Sequence, residues 1–323
     1  MRWHVPARAT PRALALAQAL AGARGGAPPR ASAMRAAAAA AEPSAAPRAR
    51  RAAAGAARSG RPLRVLCLPG FRQTREQLAR ALASTGWERE LAPFATLECV
   101  QAPTPAGGEA PEWWNAKTLE DGSVVYDNWR AGLRAVRRPL AAAAAQQRPF
   151  DGILGYSQGG AVASVYAALA MQGRLDEELG PLIDEAAGCC DEGSDCDERR
   201  TLDSSADIPA PAFVVGVSCM PSRANEHRAF FAHESLPLQL PALAVTNKGD
   251  RIVPSEATLE YAALFAGGRV VELEAGSHRI AAMGSDRGKN ERPELLRELA
   301  PFLRACMDER DTAERVVDEL SRL

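Results

Sequence analysis

Ser157 stands in Gly155-Tyr156-Ser157-Gln158-Gly159, directly after the apolar run Gly152-Ile153-Leu154 and before an alanine-rich stretch from Ala161 to Met171. Strand formers, a glycine-flanked serine and then helix formers spell strand, sharp turn, helix. This is the G-x-S-x-G nucleophile elbow, which holds a serine hydroxyl exposed above the end of a parallel sheet. Side chains at the two glycine positions would collide with the neighbouring strand and helix. A chain with 26 glycines in 323 residues meets this pattern easily by chance. The bland alternative is a surface serine in a glycine-rich loop, and the partners of the serine must decide between the two.

A serine hydroxyl is a weak nucleophile near neutral pH and needs a histidine base held by an acid. Beyond residue 60 the chain has three histidines. His227 and His233 fall in a polar stretch with Arg223, Asn225, Glu226 and Arg228, which reads as solvated helix or loop. His278 ends Glu274-Ala275-Gly276-Ser277-His278, just past a predicted strand over Arg269 to Leu273. That is the carboxyl edge of the sheet, where the sites of open α/β sheets gather. The acid is expected after a strand as well. Ala242 to Thr246 leads into Asn247-Lys248-Gly249-Asp250, with Asp250 at the end of the turn. The order Ser157, Asp250, His278 is that of the α/β-hydrolase triad. Taken singly, Asp250 is equally a turn carboxylate or a cap before Ser255, and His278 a capping histidine. For the triad to be false, all these coincidences must hold together and in this order.

Hydrolysis through such a serine also needs donors for the oxyanion of the tetrahedral intermediate. One expected donor is the N–H of Gln158, at the positive start of the helix. The other comes from the loop after the first strand, Pro69-Gly70-Phe71-Arg72-Gln73, where Phe71 is the expected donor and Pro69 has no N–H to give. Trp113 and Trp114, with Phe71, are expected to line an apolar acyl pocket, although aromatics at such positions also serve as core.

The elements that must position these groups alternate along the chain. Strands are predicted at Leu63 to Leu68, Phe94 to Val100, Gly152 to Leu154, Phe213 to Ser218, Ala242 to Thr246 and Arg269 to Leu273. Helices are predicted at Arg75 to Ser84, Gly132 to Gln147 with a break at Pro139, Ala161 to Met171, Ser255 to Phe265 and Pro293 to Met307. Such alternation implies an α/β fold with a mostly parallel central sheet flanked by helices on both faces. The expected domain runs from 61 to 307, interrupted by an acidic insertion at about 173–207, with a C-terminal helical tail over 308–323 whose Val316, Val317, Leu320 and Leu323 recur at helical spacing.

Residues 1–60 differ in kind: ten arginines, no lysine and one acid, Glu42. Arginine-rich and acid-poor composition is expected of a mitochondrial or chloroplast transit peptide. A secretory signal cored by Leu14 to Ala23 is one rival, and a disordered, compositionally biased segment in a cytoplasmic protein is the other. The remainder carries 29 basic and 39 acidic residues, a net charge of −10, which does not suit nucleic acid. No uncharged apolar run reaches the roughly 18 residues of a membrane span. Of seven cysteines, Cys67 and Cys219 read as small buried residues. Cys189, Cys190 and Cys196 form an acidic cluster with neither zinc-type spacing nor a neighbouring histidine. No metal or other cofactor is expected, and the expected partner is a small-molecule ester or thioester.

Four segments together resemble a known family. They are Leu66 to Gln73, Phe150 to Gly160, Lys248 to Pro254 and Gly276-Ser277-His278. They resemble the fungal "family of serine hydrolases" and its animal relative, the ovarian-cancer-associated esterase, over roughly residues 61 to 305. The resemblance implies a compact α/β-hydrolase, an esterase or thioesterase acting on carboxylic esters, with Ser157, Asp250 and His278 at the triad positions. Two departures stand out. The family usually has histidine where this chain has Pro69, in the loop that shapes the oxyanion site. The insertion at 173–207 is longer than the family pattern and falls where such enzymes place part of a lid. Acyl transfer by the same triad and a non-catalytic, ligand-binding α/β-hydrolase fold remain the alternatives.

Overall fold

The computed structural model describes residues 60–104, 108–180, 208–231, 237–274, 276–283 and 294–322. Its strands are β1 (Leu63–Leu68), β2 (Ala95–Cys99), β3 (Asn115–Thr118), β4 (Val124–Asp127), β5 (Gly152–Tyr156), β6 (Phe213–Val217), β7 (Ala242–Asn247) and β8 (Arg269–Leu273). Its helices are α1 (Arg75–Ser84), α2 (Trp87–Leu91), α3 (Trp129–Ala145), α4 (Gln158–Met171), α5 (Leu175–Leu179), α6 (Asn225–Phe231), α7 (Ser255–Ala262) and α8 (Glu294–Leu320).

Six strands form one parallel sheet in the order β2-β1-β5-β6-β7-β8. The three strands β5, β6 and β7 are buried at every residue, whereas the edge strands β2 and β8 alternate with exposed positions. Period-2 geometry sends alternate side chains to opposite faces. Leu66, Leu68, Ile153, Val214, Ala242 and Ala244 pack with α3, α4, α6 and α7. Leu63, Val65, Cys67, Leu154, Phe213, Val215, Leu243 and Val245 pack with α1, α2 and α8. Helices on both faces are what an all-parallel sheet requires, since neither face then meets water.

α4 is the central helix, buried from Gly159 through Leu169. It is rich in alanine because it lies against the sheet on one side and other helices on the other, which leaves little room for large side chains. α3 runs unbroken through Pro139. Proline forfeits one intrahelical bond, but Leu133, Val136 and Leu140 on the same face are buried in the core cluster shared with α4 and hold the helix together. α8 likewise passes Pro301 and continues without a break to Leu320 in the expected tail. Its buried residues end at Cys306, and Val316, Val317 and Leu320 are exposed.

The hairpin β3–β4 was not expected from the sequence. Its turn has Gly122 at φ 80° and Ser123 N–H donating to Asp121 Oδ1 at 2.8 Å. Part of the expected insertion is ordinary fold: α5 buries Leu175 and Leu179, and Arg134 on α3 donates to the Leu179 carbonyl at 2.7 Å. Residues 181–207, including Cys189, Cys190 and Cys196, lie outside the described residues, as do His233 and residues 1–59.

His227 corrects the sequence reading, which put it in solvent. It is fully buried, with ring centroids 4.6 Å from Trp129, 5.5 Å from Phe230 and 5.6 Å from both Trp114 and Tyr126. Its Nδ1 lies 2.7 Å from Ser222 Oγ. Burial, helped by the Arg130 charge, pushes its pKa down to about 4. An unfolded chain would protonate this histidine near pH 6.5 while the fold keeps it neutral, so protons favour unfolding between those values. We expect the domain to lose on the order of 3 kcal/mol on this account as pH falls from about 7 to 4. Replacing His227 with Phe should flatten that part of the profile, read as Tm against pH. An unchanged slope between pH 6.5 and 4 would show that other groups govern it.

Candidate active site

The elbow is built at the point where β5 meets α4. Ser157 has φ 52° and ψ −117°, a conformation L-residues rarely adopt. Its N–H donates to the Val217 carbonyl at 2.9 Å, so the parallel register with β6 persists into the turn. A Cβ at Gly155 would come within 2.4 Å of the Gly159 carbonyl oxygen, and one at Gly159 within 2.4 Å of the Leu68 oxygen. These two approaches, backbone against backbone, allow the helix to start directly beneath the loop after β1.

Three loops at the carboxyl edge bring the remaining groups to the serine. His278 Nε2 is 2.8 Å from Ser157 Oγ, and His278 Nδ1 is 2.8 Å from Asp250 Oδ2. The Asp250 carboxylate is wholly buried, and its other oxygen accepts the N–H groups of Ile252 and Val253, each at 2.9 Å. Both oxygens are thereby fixed, one by the turn that carries the residue and one by the histidine. The His278 loop is tied in turn: Tyr156 Oη donates to the His278 carbonyl at 2.9 Å and Asn247 Nδ2 to the Ser277 carbonyl at 3.3 Å. Burial and the nearby Asp250 charge raise the Tyr156 pKa to about 12, which keeps the phenol a donor across the working range. Tyr156 and Asn247 escaped the sequence reading, since nothing in residue type or spacing links them to a loop more than 25 positions downstream.

The loop after β1 comes to lie on the start of α4. Gly70 N–H donates to Gln73 Oε1 at 2.9 Å and Gln73 N–H to the Gly70 carbonyl at 3.2 Å. Phe71 N–H has no partner among the described residues, and neither does Gln158 N–H, which as the first residue of the helix has no carbonyl to bond. Phe71 is exposed, but Trp113 and Trp114 are buried. Trp113 Nε1 donates to the Pro69 carbonyl at 2.7 Å, and Trp114 stacks on Tyr126 with centroids 4.7 Å apart. These contacts are with the protein interior, the core role weighed beside the acyl pocket for these aromatics. A cavity of about 430 Å³ lies between the β3–β4 turn, the loop after β6, α6 and α7, lined by Met220, Pro221, Ser222 and Arg223 among others; none of Ser157, Asp250 and His278 lines it. Among the described residues no group of three or more His, Cys, Asp or Glu side chains is arranged to hold a metal ion, and no helix is long and apolar enough to cross a membrane.

Comparison with known proteins shows the family and the fold. The chain is 28% identical over 250 residues to mouse (Mus musculus) Esterase OVCA2, covering 70% of this chain and 92% of that one. It is 27% identical over 252 residues to the human (Homo sapiens) Esterase OVCA2, covering 70% and 93%. Among solved structures it is similar to acyl-protein thioesterase 2 of Zea mays, with a TM-score of 0.51 at 16% identity over 77% of this chain and 95% of that one, a likeness of fold. The family model described as "Serine hydrolase (FSH1)" matches residues 58–287, which contain the elbow, the acid loop and the histidine loop. The chain is an α/β-hydrolase and belongs to the FSH1 serine hydrolase family.

Proposed function

We propose that this serine hydrolase cleaves carboxylic esters through an acyl-enzyme formed on Ser157. The observation that carries the reading is the unbroken hydrogen-bond series Ser157 Oγ, His278 imidazole, Asp250 carboxylate, with 2.8 Å at each step. His278 Nε2 takes the hydroxyl proton as Ser157 Oγ attacks the ester carbonyl, and Asp250 stabilises the imidazolium. Gln158 and Phe71 N–H groups receive the oxyanion. His278 then returns the proton to the leaving alkoxide, leaving the acyl group on Ser157. Water attacks that acyl-enzyme with His278 again as base, releasing the carboxylic acid and restoring the serine. The same steps serve a thioester with a thiolate leaving group, or acyl transfer to an alcohol in place of water.

A fluorophosphonate probe should form an adduct that mass spectrometry maps to Ser157. A panel of p-nitrophenyl esters of increasing acyl length, run beside matched thioesters, should define the acyl group and the leaving group. Absence of both labelling and turnover in the folded wild type would favour a binding protein on a hydrolase fold. For the arginine-rich residues 1–60 we propose an organelle-targeting role, supported by their ten arginines against a single acid, Glu42. Fused to a fluorescent protein, they should direct it to mitochondria or chloroplasts; diffuse cytoplasmic fluorescence would overturn the assignment.

A further inference from the structure

The serine and the loop expected to supply the second oxyanion donor belong to different parts of the chain, and a third segment ties them together. Gln158 follows the nucleophile, and its side-chain amide is used at both ends. Oε1 accepts the Trp113 N–H at 3.1 Å and Nε2 donates to the Trp114 carbonyl at 2.9 Å. Trp113 then reaches the other way, its indole N–H donating to the Pro69 carbonyl at 2.7 Å. The segment is wedged from behind by α3, where a Cβ at Gly132 would come within 2.2 Å of the Trp113 carbonyl oxygen.

These bonds fix two consecutive peptide planes. The Pro69–Gly70 peptide is held at both ends, its C=O by Trp113 Nε1 and its N–H by Gln73 Oε1. The next peptide, Gly70–Phe71, has its C=O engaged by Gln73 N–H. In a planar trans peptide the N–H points opposite to the C=O, so the Phe71 N–H is directed away from Gln73 and left open. Pro69 brings no N–H of its own to the loop, so its carbonyl is the handle by which the peptide is turned.

We propose that Trp113 and Gln158 are positioning residues that set the distance between the Gln158 and Phe71 N–H donors. Trp113 does this through the Pro69 carbonyl and Gln158 through the Trp113–Trp114 backbone. The inference rests on the serine-esterase reading above and deepens it. It assigns to Trp113 a role in transition-state stabilisation that a pocket wall would not have.

Trp113→Phe keeps an aromatic ring in the buried site and removes the indole N–H; Gln158→Met keeps the length of the side chain and removes both amide bonds. Removing one oxyanion donor outright costs about 10²–10³ in kcat. Loosening one should cost about 10- to 100-fold in kcat, with KM within about twofold, because the interaction is realised in the transition state. Affinity for an alkyl boronic acid, which binds Ser157 as a tetrahedral adduct, should fall by a similar factor. The pH midpoint set by the triad should stay where it is. Because both substitutions release one tie, the double variant should lose little more than the worse single one. The proposal is overturned if folded Gln158→Met and Trp113→Phe keep wild-type kcat and boronate affinity, or if KM alone rises with acyl length, the mark of a pocket wall. Should Trp113→Phe fail to fold, judged by Tm, the half-buried Gln158 decides through its own variant. A wild type that neither labels nor turns over would instead defeat the esterase reading, and comparison with Ser157→Ala keeps the two failures apart.

Discussion

Ser157→Ala should abolish fluorophosphonate labelling and lower kcat for ester hydrolysis by about 10⁶-fold, the loss typical of removing a triad serine. The oxyanion donors would remain, so a residual acceleration of about 10³–10⁴ over water is expected to survive. The substitution is mild for the fold. Ser157 already holds φ 52°, and alanine tolerates that conformation no worse than serine, since the strain comes from Cβ and both residues have one. The serine hydroxyl makes no helix-capping bond, so its removal leaves no backbone donor stranded at the start of α4. His278 Nε2 loses its partner, but the ring is partly solvent-accessible and water can take the place of the hydroxyl. The expected picture is an unchanged Tm with activity gone. Labelling equal to wild type would mean that another nucleophile reacts and that the elbow serine is structural.

How far the site could be read beforehand depended on whether a local pattern or a tertiary contact decides each residue. The strands β1 and β8 and the helix α1 have the boundaries expected from the sequence, because the apolar run of β1, the half-buried alternation of the edge strand β8 and the Thr74 capping box leave local marks. The elbow was visible because its pattern is local in sequence and Gly155 answers to the backbone of Gly159 and Gly160, although Gly159 answers to the distant Leu68 and Pro69 carbonyls. Asp250 and His278 were found through their place after a strand, which is a consequence of topology. The hairpin was missed because β3 reads Asn-Ala-Lys-Thr, without an apolar face, and only Asp121-Gly122 hints at a turn. His227 was misplaced because its sequence neighbours are charged; its burial is set by Phe230 one turn further along α6 and by the distant rings of Trp114, Tyr126 and Trp129. Trp113 shows the limit most clearly. Composition marks it as apolar, but whether an indole faces an acyl chain or a loop carbonyl 44 positions away depends on packing that no local pattern encodes.

Asp250→Asn is the second large expected effect, about 10⁴-fold in kcat with the fold retained, by analogy with the same exchange in a serine protease triad. The two oxygens of Asp250 do different work. Oδ1 accepts Ile252 and Val253 N–H, and the asparagine oxygen can keep both bonds. Oδ2 faces His278 Nδ1, and there the amide would present N–H groups. His278 must then accept at Nδ1, which places its proton on Nε2, the atom that has to take the proton from Ser157. The base is thus lost by a change of tautomer, with hardly any atom displaced. The carboxylate that would stabilise the imidazolium is lost as well. In stability the cost should be small, on the order of 1 kcal/mol, because charge-assisted bonds to the turn become neutral ones without being broken. Asp250→Ala, by contrast, removes the acceptor for two backbone donors and should lower both Tm and activity. Measuring kcat and Tm for the pair separates the two jobs. If Asp250→Asn retained activity within tenfold of wild type while Asp250→Ala unfolded, the residue would be the cap of the Ile252–Val253 turn and the histidine would be oriented by some other group.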